Sequence, residues 1–368
     1  MLLIKANRDL LLKPRQSVTG VVERRHTLPI LANVLIEKSG DSISFAATDL
    51  EIQITSSTPC EDDGQKISVT VGAKKLQDIL RSLPDSGNVS LETQDSRLQV
   101  KAGHSRFNLQ TLPAEDFPRL AEGEALNGKL AINQKMLKGL LSLVQYAMAQ
   151  QDIRYYLNGL LLVIEGNLLK VVATDGHRLA FASSALDRQY EKQEVILPRK
   201  TVIELTKLLS DSDDALSLEI LQNQIRFEFS GVTVISKLVD GKFPDYTKVI
   251  PVNYQQTMTM GRIPLLQALQ RAAILSNEKI RGVRLVITEG NLRIICTNTE
   301  QEEAQEEFEI EYGGSPLDIG FNISYLLDVL TNLTEESVNC AFGDSNSSVL
   351  ISIPGRDDFK YVVMPMRI

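Results

Sequence analysis

The sequence predicts an α+β fold in which one structural unit is repeated three times along 368 residues. Three observations support this prediction: a segment with two strands, a helical segment and a Phe-Pro pair each recur at nearly constant spacing. Self-similarity at a fixed period indicates a repeated architecture. Three unrelated αβ domains with similar turns are the alternative, but the offsets agree across the whole unit and favour a repeat.

The two-stranded segments are residues 31–51, 157–180 and 280–303. Each contains an apolar strand, a turn with glycine and a second strand rich in β-forming residues, followed by Thr-Asp or Thr-Asn. Thr48, Thr174 and Thr297 occupy equivalent positions, 126 and 123 residues apart. Phe117-Pro118 and Phe243-Pro244 are also 126 residues apart and close the first two units.

Each unit is predicted to contain two helices, because apolar residues recur at positions i, i+3, i+4 and i+7. The first helices are expected near 8–20, 133–148 and 264–276, and the second helices begin near 73, 198 and 322. Pro264 suits a first helical turn, whereas Pro14 is expected to kink its helix or mark a later start. Linkers near 121–129 and 249–256 divide the chain into domains 1–124, 125–250 and 251–368.

The composition is that of an average soluble globular protein, with 43% hydrophobic and 23% charged residues. No apolar run approaches the roughly 18 residues of a membrane span, and the N-terminus does not resemble a signal peptide. The three cysteines are scattered, without metal-ligand spacing. We therefore expect a cytoplasmic protein with no metal or cofactor.

Charge is distributed unevenly along the chain. Five of the six helical segments carry a net charge of +2 or +3, together +12, whereas the whole chain carries −8. If these helices share one face, that face attracts phosphate and the opposite face repels it. The alternative is that Lys and Arg, as good helix formers, simply solvate ordinary helix surfaces. Any contact with nucleic acid should be sparse and independent of sequence.

The string Thr174-Asp175-Gly176-His177-Arg178 is the most enzyme-like in the chain, because Asp and His could act as acid and base. No nucleophile motif or second metal-ligating histidine accompanies it. The Thr-Asp turn recurs in the other units, so the aspartate is interpreted first as a partner for backbone amides. Only the second unit has His177-Arg178 after this turn, and for these two residues binding of a partner protein is favoured over a role in hydrolysis.

The first and third units differ in charge at their predicted edge strands. Residues 300–311 contain seven glutamates in twelve positions, and Lys74, Lys75 and Arg106 flank Phe107 and Leu109 in the first unit. Acidic edge strands prevent uncontrolled pairing and select a complementary edge. This pattern predicts a head-to-tail contact between copies, which closes into a ring when the rotation fits.

Several strings closely resemble the β subunit of bacterial DNA polymerase III, the family of sliding clamps. The strings span the whole chain and are TLPILAN (27–33), SRFNLQTLPAEDFP (105–118), QDIRYYLNG (151–159), VATDGHRLA (172–180), SKLVDGKFPDY (236–246), RAAILSNEK (271–279), GFNISYLLDVL (320–330) and YVVMPMRI (361–368). The acidic run also matches.

The resemblance implies three clamp domains per subunit and a head-to-tail homodimeric ring, with helices lining a central hole and antiparallel sheets outside. Such a ring encircles double-stranded DNA as a processivity factor without catalysis. A cleft between domains two and three would bind short apolar motifs of the DNA polymerase III core, the clamp loader, other DNA polymerases and repair proteins. A DNA-independent peptide-binding scaffold is a further alternative.

The resemblance also implies site residues. The peptide cleft should include Leu157, Thr174, Gly176, His177, Arg178, Leu179, Pro244, Val249, Asn322, Tyr325, Ser348, Val362, Met364, Pro365, Met366 and Arg367. DNA contacts should include Arg25, Gln151, Tyr155, Tyr156 and Lys200. The dimer seam should pair Phe107 and Leu109 with Ile274 and Leu275, and Lys75 and Arg106 with an acidic run containing Glu300 and Glu303. Departures from the family pattern are Lys248, Asn346, Ile368 and His104.

Overall fold

The computed structural model describes residues 1–22, 28–85, 87–121, 123 and 128–368. These residues form two compact units, Met1–Leu137 with Ile203–Leu238, and Lys138–Val202 with Val239–Ile368. They are called unit one and unit two below. No described helix is long and apolar enough to cross a membrane.

Six α-helices occur in the described residues, two for each sequence repeat. They are α1 (Arg8–Val18), α2 (Ala73–Ser82), α3 (Gln134–Val144), α4 (Arg199–Leu208), α5 (Arg262–Ala272) and α6 (Ile323–Asn332). Short 3₁₀ turns follow α1, α3 and α5, so each first helix extends close to its predicted end.

The two prolines predicted to shape helix starts behave differently from each other. Pro264 lies in the first turn of α5, where its missing amide has no helical acceptor to lose. Pro14 lies inside α1, which begins at Arg8 and continues past the proline to Val18. The helix therefore does not start later. Asn7 caps it by accepting a hydrogen bond from the Asp9 amide at 2.9 Å.

Twenty-two strands alternate with these helices in the described residues. They are β1 (Leu2–Asn7), β2 (Asn33–Ser39), β3 (Ser42–Thr48), β4 (Ile52–Pro59), β5 (Ile67–Gly72), β6 (Asn88–Gln94), β7 (Arg97–Ala102), β8 (Ser105–Leu112), β9 (Leu130–Asn133), β10 (Gly159–Thr174), β11 (Arg178–Pro198), β12 (Ala215–Leu221), β13 (Gln224–Phe229), β14 (Val232–Lys237), β15 (Gln256–Gly261), β16 (Gly282–Thr288), β17 (Asn291–Thr297), β18 (Glu303–Glu309), β19 (Leu317–Asn322), β20 (Ser337–Phe342), β21 (Val349–Ser352) and β22 (Phe359–Val363).

Unit one contains a single antiparallel sheet in the order β1-β6-β7-β8-β5-β2-β3-β4-β14-β13-β12-β9. Strands of the first and second sequence repeats join where β4 pairs with β14, with Ile54 opposite Val234. Unit two contains a six-stranded sheet, β10-β11-β22-β21-β20-β15, and a four-stranded sheet, β18-β17-β16-β19.

The predicted strand–turn–strand pattern is correct in all three repeats. In the second repeat both strands lie within β10, and the chain turns at Gly166, whose φ of +60° matches the +61° of Gly40 in the first-repeat turn. Leu161 and Val172 lie on either side of this turn and belong to one buried apolar cluster, whereas a straight strand would separate them by about 36 Å. β11 pairs with both halves of β10, through Gln193–Pro198 and Leu179–Ala185.

Candidate functional site

The loop between β10 and β11, residues 174–178, is built by its own side chains. The Thr174 hydroxyl donates to the Arg178 carbonyl oxygen at 2.6 Å. An Asp175 carboxylate oxygen accepts hydrogen bonds from the amides of His177 and Arg178, at 2.9 and 3.0 Å. Gly176 has a φ of +89°, a conformation that favours glycine. This confirms that Asp175 serves backbone amides.

The first repeat contains the same turn. The Thr48 hydroxyl donates to the Ile52 carbonyl oxygen at 2.9 Å. Asp49 accepts hydrogen bonds from the amides of Glu51 and Ile52 at 2.9 and 2.8 Å. The Thr-Asp pair therefore has a structural role in both repeats. The residues around the pair are what distinguish the second repeat from the first.

A pocket of about 210 Å³ lies beside the 174–178 loop in unit two. Its lining consists of Arg154, Leu157, Thr174, Gly176, His177, Arg178, Leu179, Phe243, Pro244, Val249, Val362 and Met364. Ten of the sixteen residues predicted for the cleft are therefore brought together here. A buried apolar cluster that includes Val172, Leu179 and Phe243 forms its base.

Arg178 connects the pocket to the rest of unit two. Its guanidinium donates to the Asp175 carboxylate at 3.2 Å, to the Tyr146 carbonyl oxygen at 2.6 Å and to the Asp328 carboxylate on α6. It also lies 4.4 Å from the centre of the Tyr325 ring, a cation–π contact. Burial disfavours its charge, yet interactions with Tyr361 and Asp328 raise the pKa of this group above its ordinary value.

Arg154 and Phe243 also line the pocket, although neither was predicted as a cleft residue from the sequence. Arg154 makes a bidentate pair with Asp152, at 3.0 and 2.8 Å, and donates to the Asp175 carbonyl oxygen at 3.2 Å. The side-chain and backbone hydrogen bonds from Arg154 lower the pKa of Asp152 to about 2. Both residues lay within strings that carried the family resemblance, and Phe243 marked the repeat, but neither signal indicated a pocket.

The other six predicted cleft residues do not line the pocket. They are Asn322, Tyr325, Ser348, Pro365, Met366 and Arg367. Asn322 caps α6 by accepting a hydrogen bond from the Ser324 amide at 2.9 Å. Tyr325 meets the pocket through Arg178, and its carbonyl oxygen accepts a hydrogen bond from the Tyr361 hydroxyl at 3.0 Å.

The predicted DNA contacts have different environments. Arg25 lies outside the described residues. Gln151 and Tyr155 are exposed, and Lys200 is half-buried in α4. Tyr156 packs against the apolar cluster beneath the pocket, so its ring contributes to that base.

Several helical arginines counted as positive charge are used internally. Arg199 donates to the Met148 carbonyl oxygen at 3.0 Å, and Arg262 donates to the carbonyl oxygens of Glu335 and Leu330 at 2.8 and 2.9 Å. Arg15 is fully buried in α1, and its guanidinium has no hydrogen-bond partner among the described residues. The charge count therefore overstates the positive charge that the helices present to solvent.

One predicted seam strand, β18, is an edge of its sheet, and the other, β8, lacks a second partner among the described strands over most of its length. In unit one, β8 pairs with β7 from Ser105 to Gln110 but with β5 only at Thr111 and Leu112. A groove of about 360 Å³ beside it is lined by residues that include Lys75 and Leu109.

In unit two, β18 is the outer strand of its sheet and pairs with β17. Glu300 and Glu303 are exposed there, whereas Glu306 forms a bidentate pair with Arg271 at 2.7 and 2.6 Å. Ile274 is 78% exposed beside half-buried Leu275. Lys75 and Arg106 are exposed in unit one, Phe107 is half-buried, and Leu109 is already 91% buried. Part of the predicted seam is thus covered within its own unit.

Comparison with known proteins gives a match along the whole chain. Models of the DNA polymerase III beta subunit match at residues 2–121 (N-terminal domain), 131–245 (central domain) and 247–367 (C-terminal domain). The Pseudomonas putida beta sliding clamp is 49% identical over 364 residues, 98% of each chain. The Escherichia coli beta sliding clamp is 44% identical over 361 residues, again 98% of each chain.

A solved structure is similarly close. The Pseudomonas aeruginosa sliding clamp bound to griselimycin superposes with a TM-score of 0.96, at 46% identity and complete coverage of both chains. The predicted α+β fold with three repeated domains is confirmed by these comparisons.

Proposed function

This chain belongs to the DNA polymerase III beta subunit family, the bacterial sliding clamps, and on that premise we propose how its surfaces serve replication. The chain is a processivity factor and not an enzyme. We propose that two copies form a head-to-tail ring around duplex DNA, with helices lining the hole and sheets outside. Each copy would contribute three domains, close to 1–124, 125–250 and 251–368, in the cytoplasm.

The pocket beside the 174–178 loop is proposed as the docking site for partner proteins. Its apolar base and few polar side chains suit a short apolar peptide segment with one or two polar anchors. Griselimycin, found bound to the Pseudomonas aeruginosa relative, is proposed to occupy this pocket in the present chain. The partners are proposed to be the polymerase III core, the clamp loader, other DNA polymerases and repair proteins.

The predicted cleft residues outside the pocket lining extend this proposal. Tyr325 adjoins the pocket through the Arg178 contact, so a longer peptide could continue toward the start of α6. Two pockets in a dimer would let a partner with two motifs bind with avidity. Partners with one motif would compete for the same pocket.

DNA contact is proposed to be weak and directed at the backbone. Gln151, Tyr155 and Lys200 are the candidates in unit two, and Arg25 remains a candidate by resemblance. A clamp that bound phosphates tightly would not slide, so a modest positive charge suits topological encirclement.

The ring is proposed to close through β8 of one copy and β18 of the next. Both edges have unused backbone hydrogen-bonding capacity in the described sheets, and β18 carries exposed glutamates where β8 carries Arg106. Matching of opposite charges sets the orientation of such a contact. Ile274, Leu275 and Phe107 supply its apolar part.

One experiment tests encirclement directly. The chain is loaded by its clamp loader onto nicked circular duplex DNA, and its retention is measured by gel filtration before and after the circle is linearised. We expect retention on the circle and loss from the linear product. Equal retention on both would contradict encirclement. Peptide binding without retention on either would favour the DNA-independent scaffold.

A further inference from the structure

The final segment of the sequence, residues 364–368, forms a strap beside the pocket. The Met364 amide donates to the His177 carbonyl oxygen at 2.8 Å, and the Met366 amide donates to the Gly320 carbonyl oxygen in β19 at 2.8 Å. Met364 lines the pocket. The strap is therefore tied to the 174–178 loop at one point and to β19 at another.

Two glycines form a notch under the end of the strap. A Cβ atom on Gly320 would lie 2.5 Å from the Met366 carbonyl oxygen and 2.6 Å from Cδ1 of Ile368. A Cβ atom on Gly282 would lie 3.2 Å from the same Cδ1. Separations below 3.0 Å essentially never occur for real Cβ atoms, so the strap can lie here only because Gly320 has no side chain.

The notch interrupts a polar sheet face. In the β16–β19 ladder, Gly282 lies opposite Asn322 and Gly320 lies opposite Arg284, which places both glycines on one face of the sheet. Arg284 pairs with Asp318 on this face, and both side chains are about half exposed. Gly282 is nevertheless buried, and the three atoms closest to its Cβ position all belong to Ile368.

We propose that Ile368 is a positioning residue for the peptide pocket, acting through the strap. This inference rests on the proposed function of the pocket. With Ile368 seated in the glycine notch and the Met366 amide bonded to β19, Met364 is held as one wall of the pocket. When the strap leaves the notch, that wall is no longer fixed.

The consequence for binding follows from populations. If only molecules with the strap in place bind a peptide well, the apparent Kd rises in inverse proportion to the fraction in place. A substitution that leaves the strap in place about one tenth of the time would raise the apparent Kd about tenfold. Because only the fraction with the strap in place can bind, most of this effect should appear in the apparent association rate.

The test compares four variants with the unaltered chain. Gly320→Ala puts a methyl group where the Met366 carbonyl lies, Ile368→Ala empties the notch and Ile368→Leu refills it. Gly313→Ala is the matched control, since nothing lies within 4 Å of its Cβ position. Griselimycin binding is measured by surface plasmon resonance, and exchange of the Met366 amide hydrogen by NMR.

We expect Gly320→Ala to accelerate exchange of the Met366 amide hydrogen and to raise the griselimycin Kd about tenfold. Ile368→Ala should change the exchange rate and the Kd in the same direction, but by less. Ile368→Leu and Gly313→Ala should match the unaltered chain. Unchanged affinity in both Gly320→Ala and Ile368→Ala, whether or not exchange accelerates, would overturn the inference and leave the pocket proposal intact. If the unaltered chain does not bind griselimycin, the pocket proposal itself fails.

Discussion

Replacing Arg178 with methionine should destabilise unit two and weaken the pocket together. The guanidinium, 9% exposed, donates to Asp175, Asp328 and the Tyr146 carbonyl oxygen. Methionine preserves much of the apolar contact but leaves these three acceptors without their donor. A charge-assisted hydrogen bond contributes about 1.5–3 kcal/mol, and breaking a buried ion pair costs about 3–5 kcal/mol.

Solvent reduces the expected loss. Asp328 is 42% exposed and regains water when the arginine is removed, and Asp175 keeps its two backbone donors. We therefore expect the free energy of unfolding to fall by about 2–4 kcal/mol. For a unit of this size, each kcal/mol lowers the melting temperature by about 2–4 °C. Differential scanning calorimetry at neutral pH measures the loss.

Arg188→Met is the matched control for this experiment. Arg188 lies on the same strand, donates to the Tyr190 hydroxyl at 2.8 Å and stacks 4.9 Å from that ring, but it is exposed. Its replacement should leave the melting temperature unchanged, because water solvates the freed groups. If Arg178→Met melts within a degree or two of Arg188→Met, the inference that Arg178 holds the pocket together is wrong.

Three further predictions concern other regions. Burial lowers the pKa of Arg15 to about 9, so the charge of this side chain destabilises the folded state at neutral pH. Arg15→Leu should therefore stabilise the chain by roughly 1–3 kcal/mol in urea unfolding. This gain should shrink as the pH rises from 9 toward about 12.5, the pKa of the arginine in the unfolded chain. Asp152 should titrate in the folded protein near pH 2 by carboxyl-carbon NMR, and Arg154→Gln should raise that midpoint; an unmoved midpoint would contradict the ion pair as its cause. Ile274→Asp should convert the dimer into a monomer of 40.9 kDa in light scattering, whereas Ile153→Asp, at a site 96% exposed, should not.

The sequence was sufficient to predict the fold class, the six helices and the family. The helices were predictable because their apolar spacing and caps are local properties, as the Asn322 cap of α6 shows. The role of Asp175 was also predictable, because an aspartate after a turn threonine satisfies nearby amides without any distant partner. The processivity function was predicted from the resemblance and is confirmed by family membership.

Features that depend on tertiary packing were not predictable. Counting charges cannot distinguish an arginine that faces solvent from one that donates to carbonyl oxygens, as Arg262 does. Arg154 enters the pocket because Asp152 and the Asp175 carbonyl hold it there, contacts with little local signature.

The repeated turn explains how a copied unit acquired a site. In the first two repeats, threonine and aspartate fix the loop with the same hydrogen bonds, and the residue four positions after the threonine closes it through its carbonyl oxygen. The backbone alone makes that closing bond, so the side chain at this position is free to differ. It is Ile52 in the first repeat, fully buried in a core, and Arg178 in the second, reaching Asp328 on α6. One change at a position that the turn leaves unconstrained therefore converts a core contact into the link between the loop and α6. The strap ties the same loop to β19, so both sides of the pocket are anchored to elements of the third repeat.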